Sequence, residues 1–192
     1  MGELFIGLVH YPVTNKRGDV VATAVTNLDV HDIARTAKTY GVSRYFIINP
    51  MWSQKRLVDR IVDHWITGYG LTYNPDRGRA LSTVVVVEDL GEAIRSIVEM
   101  TKEEPTIVGT SARKGRKTVG YHRLRTMIQE DNVPYLLLFG TGWGMTEQVK
   151  DLCTYMVEPI QGPGDYQHLS VRSAAAIVLD RLRGKADERS MS

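Results

Sequence analysis

Cysteine is almost absent from this sequence, since Cys153 is the only one among 192 residues. A lone thiol cannot close a disulfide within the chain, and it cannot build a cysteine-based zinc site. The sequence therefore predicts a fold that is held together by its apolar core in a reducing compartment. We expect no bound metal.

Long apolar runs are missing as well. Runs such as Val84 to Val87 fall far below the roughly 20 residues that a membrane-spanning helix needs. The first ten residues carry no basic leader, and their apolar run is too short for a secretory signal. We expect a cytoplasmic protein without a membrane span.

A strong excess of one charge is the third absence. The 24 Lys and Arg residues against 22 Asp and Glu residues give a net charge of +2, so any nucleic-acid contact has to come from local clustering. Hydrophobic residues make up 43% and charged residues 24%, as in globular proteins. We predict a single domain over residues 1–184 and a polar, frayed tail over residues 185–192.

Short apolar runs alternate with segments of helical period, which favours an α/β fold with a mostly parallel sheet and helices on both faces. The predicted strands are Leu4 to His10, Arg44 to Asn49, Thr83 to Glu88, Thr106 to Thr110, Tyr135 to Phe139 and Tyr155 to Pro159. The predicted helices are Asp29 to Tyr40, Gln54 to Thr67, Leu90 to Lys102, Tyr121 to Glu130, Thr146 to Leu152 and Val171 to Arg183.

Two local patterns add detail to this prediction. In the second helix, Leu57, Ile61 and Trp65 recur with Val58 and Val62 at steps of three and four, which predicts one apolar stripe. The segment Asn74 to Gly78 has the composition of a turn and predicts a surface loop.

Two glycine-rich loops follow predicted strands. Gly140, Gly142 and Gly144 come after the strand that ends at Phe139, and Ile160 to Leu169 contains Gly162 and Gly164. Glycine lets backbone N–H groups approach a ligand, and the helix that follows each loop adds its positive end. The alternative is a glycine-rich turn without a ligand, and the alanines after Ser173 are good helix formers in any case.

These loops have a counterpart near the first helix, where Asn27 precedes Arg35-Thr-Ala and Gly41-Val. Together with Gly109-Thr-Ser-Ala-Arg113, the segments resemble the motifs of the SPOUT RNA methyltransferases in order and spacing, particularly the ribose 2′-O-methylating branch. The resemblance implies a sheet whose C-terminal part forms a deep trefoil knot, a homodimer, and S-adenosylmethionine as methyl donor. It implies RNA, either tRNA or rRNA, as the substrate.

The resemblance also implies which residues form the site. The donor would be held by Thr110, Ser111, Phe139, Gly140, Thr141, Gly142, Gly144, Ile160, Gly162, Gly164, His168, Leu169 and Ser173. Arg35 of the partner subunit would orient the acceptor, and Asp165 or His168 would receive its proton. Trp143 or Gly144 stands where the ribose branch has a glutamate, and His168-Leu-Ser170-Val replaces Ser-Leu-Asn-Val. Asp165 resembles the aspartate with which the base-methylating branch takes a proton from a guanine ring. The acceptor therefore stays open between a ribose 2′-oxygen and a guanine base.

A basic segment from Arg113 to Arg125 follows the predicted donor-binding residues Thr110 and Ser111. Basic side chains neutralise phosphates without reading sequence. The predicted RNA-binding residues are Asn27, Arg113, Lys114, Arg116, Lys117 and Arg123. Ordinary roles compete with these predictions, because Asn27 is a suitable helix cap and Arg35 has Asp29 and Asp32 nearby on its own helix.

Two other classes of protein are consistent with parts of the pattern. Gly140-Thr-Gly-Trp-Gly after a strand, with Glu158 at the end of the next strand, is also typical of nicotinamide-dependent oxidoreductases. Too few residues follow Glu158 for the rest of a dinucleotide sheet, since each βαβ unit needs about 30. A non-catalytic module that binds RNA or nucleotides is the other alternative.

Overall fold

The structure is a computed structural model that describes residues 2–115 and 117–185. Arg116, one of the predicted RNA-binding residues, lies outside the described residues. So does nearly all of the predicted tail.

A seven-stranded, wholly parallel sheet forms the centre of the fold, with a separate two-stranded hairpin beside it. The strands are β1 (Leu4–Val9), β2 (Val13–Thr14), β3 (Val20–Val21), β4 (Arg44–Ile48), β5 (Val84–Val87), β6 (Thr106–Gly109), β7 (Thr118–Val119), β8 (Tyr135–Gly140) and β9 (Tyr155–Val157). The order in the large sheet is β5-β4-β1-β8-β6-β9-β7, and β2 pairs with β3 antiparallel. All six predicted strands are confirmed.

The helices are α1 (Asn27–Thr39), α2 (Trp52–Ile66), α3 (Tyr69–Tyr73), α4 (Pro75–Leu81), α5 (Leu90–Thr101), α6 (Tyr121–Glu130), α7 (Glu147–Asp151) and α8 (Val171–Arg183). The six predicted helices are confirmed. In the described part of the chain, no helix has the length and apolar character that crossing a bilayer requires.

One local prediction was wrong, and a second was confirmed except at one residue. The segment Asn74 to Gly78 begins α4 instead of forming a loop, because the Asn74 side chain accepts a hydrogen bond from the Arg77 N–H at 3.1 Å and Pro75 occupies the first turn, where its missing N–H costs nothing. The apolar stripe of α2 is confirmed at Val58, which is buried, and at Ile61, Val62 and Trp65, which pack partly buried against the core. Leu57 is the exception, since it is exposed.

Two apolar layers cover the sheet, one on each face. Ile6 and Leu8 point into a layer that contains Ile33 of α1 and Leu179 of α8. Their neighbour Phe5 points the other way, into a layer with residues of α5 and α7. Parallel strands that are buried on both faces read as continuous apolar runs, which explains why these strands were recognisable from sequence.

Strand β9 lies between β6 and β7, although both precede it in the chain. Gly109 at the end of β6 and Thr118 at the start of β7 are both level with Met156 of β9. The segment that joins β6 to β7 therefore has to cross β9. Because all strands of the seven-stranded sheet are parallel, the segments that follow β1, β6, β8 and β9 emerge at the same edge of this sheet.

Replacing Leu137 tests the packing of the central strand. Leu137 is 1% exposed in β8, so Leu137→Ala should lower the free energy of unfolding by about 2–5 kcal/mol. Leu152→Ala is the control, because Leu152 is 60% exposed and its loss should change stability by only about 0.5 kcal/mol. Urea denaturation measures both, and equal effects would contradict this assignment of the core.

Candidate cofactor and RNA site

The loop after β8 depends on glycine at three positions. A Cβ at Gly140 would lie 2.8 Å from the Met145 backbone nitrogen, closer than real contacts allow. Gly142 and Gly144 have φ values of +59° and +107°, in the left-handed region that side chains disfavour. The sequence therefore fixes a tight turn at the carboxyl end of the central strand.

The β2–β3 hairpin holds this glycine loop from outside. The Thr14 N–H donates to the Gly144 carbonyl at 2.9 Å, and the Trp143 N–H donates to the Thr14 carbonyl at 3.1 Å. The hydroxyl oxygens of Thr23 and Thr141 lie 2.5 Å apart, and Thr141 also donates to the Val9 carbonyl. The Thr141 side chain thus fastens the loop to the sheet.

His10 lies beneath this contact and extends it into the core. Its Nδ1 lies 2.9 Å from the Thr23 hydroxyl, while its buried Nε2 has no hydrogen-bond partner among the described residues. Burial lowers the pKa of His10 to about 4, although Asp29 and the hydrogen bond to Thr23 act in the opposite direction. His10 is therefore neutral near pH 7 and supports the loop as an uncharged group.

The loop after β9 is exposed, and its backbone N–H groups form no hydrogen bonds within the loop. Between residues 160 and 169, no backbone N–H donates a hydrogen bond to another described residue. A Cβ at Gly162 or Gly164 would meet nothing within 4 Å. Open glycines and unpaired N–H donors fit a polar ligand with heterocyclic and ribose oxygens and nitrogens, such as S-adenosylmethionine.

Several predicted donor-binding residues have their side chains turned away from solvent or already bonded. Phe139 is part of the apolar core, so only its backbone can meet a ligand. Both the N–H and the hydroxyl of Thr110 donate to the Leu138 carbonyl, and Ser111 accepts from the Arg113 N–H. These three residues shape the ends of the strands.

The loop after β9 leads into α8. Asp165 and His168 are exposed in it, and the His168 ring meets the Tyr166 ring edge-on with centroids 5.5 Å apart. Ser170 caps α8 by accepting from the Ser173 N–H, and the two hydroxyl oxygens lie 3.0 Å apart. Both candidate proton acceptors are thus open to solvent.

Helix α1 carries the remaining predicted residues. Its cap is Thr26, whose hydroxyl accepts from the Asp29 N–H at 3.1 Å, so the alternative role of Asn27 as a cap is wrong. Asn27 is instead the first helical residue. Its side chain lines a groove beside the helix.

Arg172 forms ion pairs that sequence reasoning missed. It is the second residue of α8, and its guanidinium lies 3.2 Å from the buried carboxylate of Asp29 and 3.5 Å from that of Asp32. The alternative in which Arg35 pairs with these carboxylates is therefore wrong. Arg172 ties the end of the 160–169 loop to the helix that carries Arg35.

Arg35 lines an open groove of about 900 Å³ between α1, α2 and α4. Asp165 and His168 do not line this groove. Within one copy of the chain, this groove thus contains one of the three predicted catalytic residues. The residues that line the groove are Asn27, Leu28, His31, Asp32, Arg35, Trp52, Ser53, Arg56, Leu57, Arg60, Ile61, His64, Trp65 and Arg77.

The basic segment is only partly available to RNA. Arg113, Lys114 and Arg123 are exposed. The ammonium group of Lys117 donates to the Cys153 carbonyl at 3.1 Å, and Arg125 donates to carbonyls at the end of α8. Among residues 2–115 and 117–185, no three His, Cys, Asp or Glu side chains are grouped to hold a metal ion.

The fold is that of the SPOUT methyltransferases. The SpoU methyltransferase AviRb of Streptomyces viridochromogenes, crystallised in complex with the cofactor AdoMet, aligns with a TM-score of 0.55 at 17% identity, over 95% of this chain and 58% of that one. A family described as SAM-dependent RNA methyltransferase matches residues 3–184. The chain belongs to this family of S-adenosylmethionine-dependent RNA methyltransferases, which excludes the oxidoreductase alternative.

Two curated relatives place the match in context. A tRNA (guanine-N(1)-)-methyltransferase of Oleidesulfovibrio alaskensis is 45% identical over 96% of this chain and 43% of its own length. The chain thus spans less than half of that relative. An uncharacterized protein of Aquifex aeolicus is 40% identical over 94% of this chain and 88% of its own length.

Substitution of Gly140 tests the shape of the glycine loop. Gly140→Ala should lower the free energy of unfolding by about 1–3 kcal/mol, because the new methyl group collides with backbone that cannot move freely, and it should weaken the binding of S-adenosylmethionine. Gly162→Ala is the control for stability, since its Cβ meets open space. Denaturation and calorimetry measure the two effects. Equal stability of both variants would contradict the described turn.

The acid sensitivity of the fold tests the buried state of His10. Because its pKa is lower in the folded chain than in the unfolded chain, its contribution is complete above about pH 6.5 and is lost as the pH falls to about 4. The loss should be about 3 kcal/mol. His10→Gln should flatten this part of the stability profile, whereas His122→Gln, at an exposed site, should not. An unchanged profile in His10→Gln would contradict the assignment.

Proposed function

We propose that the chain transfers a methyl group from S-adenosylmethionine to a nucleotide of RNA and works as a cytoplasmic homodimer. The observation that carries the proposal is that the 140–145 and 160–169 loops both follow strands of the parallel sheet and so emerge at the same edge. Membership of the methyltransferase family supports the same reaction. The name of the Oleidesulfovibrio relative supports tRNA as the first substrate to test.

In this proposal, backbone groups hold the donor. The glycine loop from Gly140 to Gly144 leaves room for close approach, and the N–H groups of residues 160–169 supply donors that have no other described partner. The bound donor supplies a methyl group on a sulfonium centre, which is attacked in line. The protein therefore has to align the acceptor and remove its proton.

Arg35 and the 160–169 loop perform these two tasks. Arg35 is exposed beside its groove, where it can bind the acceptor or a neighbouring phosphate. Asp165 or His168 receives the proton, and an aspartate in this position favours a guanine base over a ribose hydroxyl. Because Arg35 and Asp165 line no common cavity in one chain, we place Arg35 of one subunit at the donor loops of the other.

The C-terminal trefoil knot is part of the same proposal. The position of β9 between β6 and β7 supports it, because the chain that leaves β9 has to pass the segment that crosses this strand. The single domain predicted for residues 1–184 also belongs to the proposal.

Substitutions of the proposed catalytic residues test the reaction. Asp165→Asn should lower methyl transfer to tRNA by about 10²–10⁴-fold, and Arg35→Ala should lower it strongly, both at unchanged affinity for the donor. Asp151→Asn, at an exposed site in α7, is the control. Incorporation of radiolabelled methyl groups measures turnover. Wild-type turnover of Asp165→Asn and of an Asp165→Asn/His168→Gln double variant would refute the proposed bases.

Mixing the two inactive variants tests the shared site. When Arg35→Ala and Asp165→Asn subunits exchange freely, half of the dimers are mixed and one of their two sites is intact, so about one quarter of the activity should return. No recovery in verified mixed dimers would place both residues in the same subunit. Binding of donor and RNA without methylation of any tRNA or rRNA would favour the non-catalytic module.

A further inference from the structure

The groove beside Arg35, called here the α1–α2 groove and lined by the 14 residues given above, has a strongly positive wall. Arg35, Arg56, Arg60 and Arg77 all line it, and Asp32 is its one lining carboxylate. Asp32 is within 3.5 Å of Arg172, which lies outside the groove lining. A chain with a net charge of only +2 thus concentrates four cations around one cavity.

The same groove presents aromatic surface. Trp52 is 68% exposed at the start of α2, and the guanidinium carbon of Arg56 lies 4.6 Å from its ring centroid. Deeper in the groove, Arg77 lies 4.6 Å from the ring centroid of Trp65. An indole ring with a guanidinium over its face is a surface on which unpaired bases stack.

A neutral imidazole completes the lining. Nδ1 of His31 is buried and has no hydrogen-bond partner among the described residues, and the His31 ring meets Trp65 edge-on. Burial, followed by the charge of Arg77, lowers the pKa of His31. An uncharged imidazole can donate or accept a hydrogen bond, and because His31 is only partly buried, its ring adds a polar group to the groove lining.

We propose that the α1–α2 groove binds a single-stranded segment of the substrate RNA that flanks the methylated nucleotide. One base stacks on Trp52 and Arg56, while Arg60 and Arg77 hold backbone phosphates. The groove volume of about 900 Å³ lies within the range of ligand sites. This inference rests on the proposed function, because it takes RNA as the substrate, and it extends that function to the choice of substrate.

Charge favours RNA over a second copy of the chain in this groove. Two copies that met here across a two-fold axis would oppose the same arginines to each other. RNA brings the opposite charge and releases counterions when it binds. Single-stranded RNA is favoured over a duplex, because a paired base cannot lie flat on Trp52 without leaving its stack.

Substitution of Trp52 tests the stacking contact. Trp52→Ala should weaken the binding of a labelled single-stranded RNA of roughly 12 nucleotides about tenfold, and Trp52→Phe should keep most of the affinity. Tyr69→Ala is the matched control, because Tyr69 is 75% exposed on α3 and does not line the groove. Fluorescence anisotropy measures the affinities.

The salt dependence of binding tests the phosphate contacts. Arg60→Gln and Arg77→Gln should each reduce the slope of log affinity against log salt concentration by about 0.7, the value for one phosphate contact on single-stranded RNA. Arg95→Gln is the control, because Arg95 is exposed on α5, which covers the opposite face of the sheet. Unchanged slopes in both groove variants would overturn the proposal.

Calorimetry with S-adenosylmethionine on every variant separates this inference from the proposed function. If the wild-type protein binds the donor and methylates RNA while Trp52→Ala, Arg60→Gln and Arg77→Gln bind RNA normally, the groove proposal fails and the function stands. If the wild-type protein does not bind the donor, the proposed function fails. The RNA affinities of the variants still test the groove proposal in that case. A shift of Trp52→Ala from dimer to monomer in sedimentation would overturn the proposal, since the groove would then be a subunit contact.

Discussion

The parallel pairing of β8 with β1 on one side and β6 on the other is the constraint on which the rest of the molecule depends. The ladder from Leu4 opposite Tyr135 to Val9 opposite Gly140 leaves no room for slippage, because both faces of β8 are buried and a shift by one residue would exchange them. This register sets the level of Gly140 relative to His10 and Thr110. The two donor loops and the hairpin that braces them therefore start from fixed points on one rigid edge.

The extent of prediction from sequence followed the length of each element. Six strands and six helices had enough residues to show a run or a period, and all were recognised. The two-residue strands β2, β3 and β7 have no period, and α3, with five residues, makes little more than one turn. Helix α7 is equally short but was predicted, because the strand and the glycine loop before it indicate where it begins. At α4 the residues were seen but misread, because Asn and Pro serve equally well in a turn and at the start of a helix.

The candidate site was also predicted only in part. Glycines carry their own signal, so the loops at Gly140 and Gly162 were found from sequence. The α1–α2 groove was missed, because its members come from three elements spread between Asn27 and Arg77 and meet only in the folded chain. Arg56 lies outside the apolar stripe that the sequence predicts for α2. A usable signal was present all the same, since Trp52, Arg56 and Arg60 recur at steps of four and form one stripe on α2.

The place of β9 in the sheet has a consequence for the order of events during synthesis. Strands β6, β7 and β8 all leave the ribosome before β9, so one side of β6 keeps unpaired N–H and C=O groups until residue 157 has emerged. A late strand then has to enter between two earlier ones, which is a slow step of high contact order. For that interval the nascent chain carries an open strand edge, the kind of surface through which partly folded chains associate.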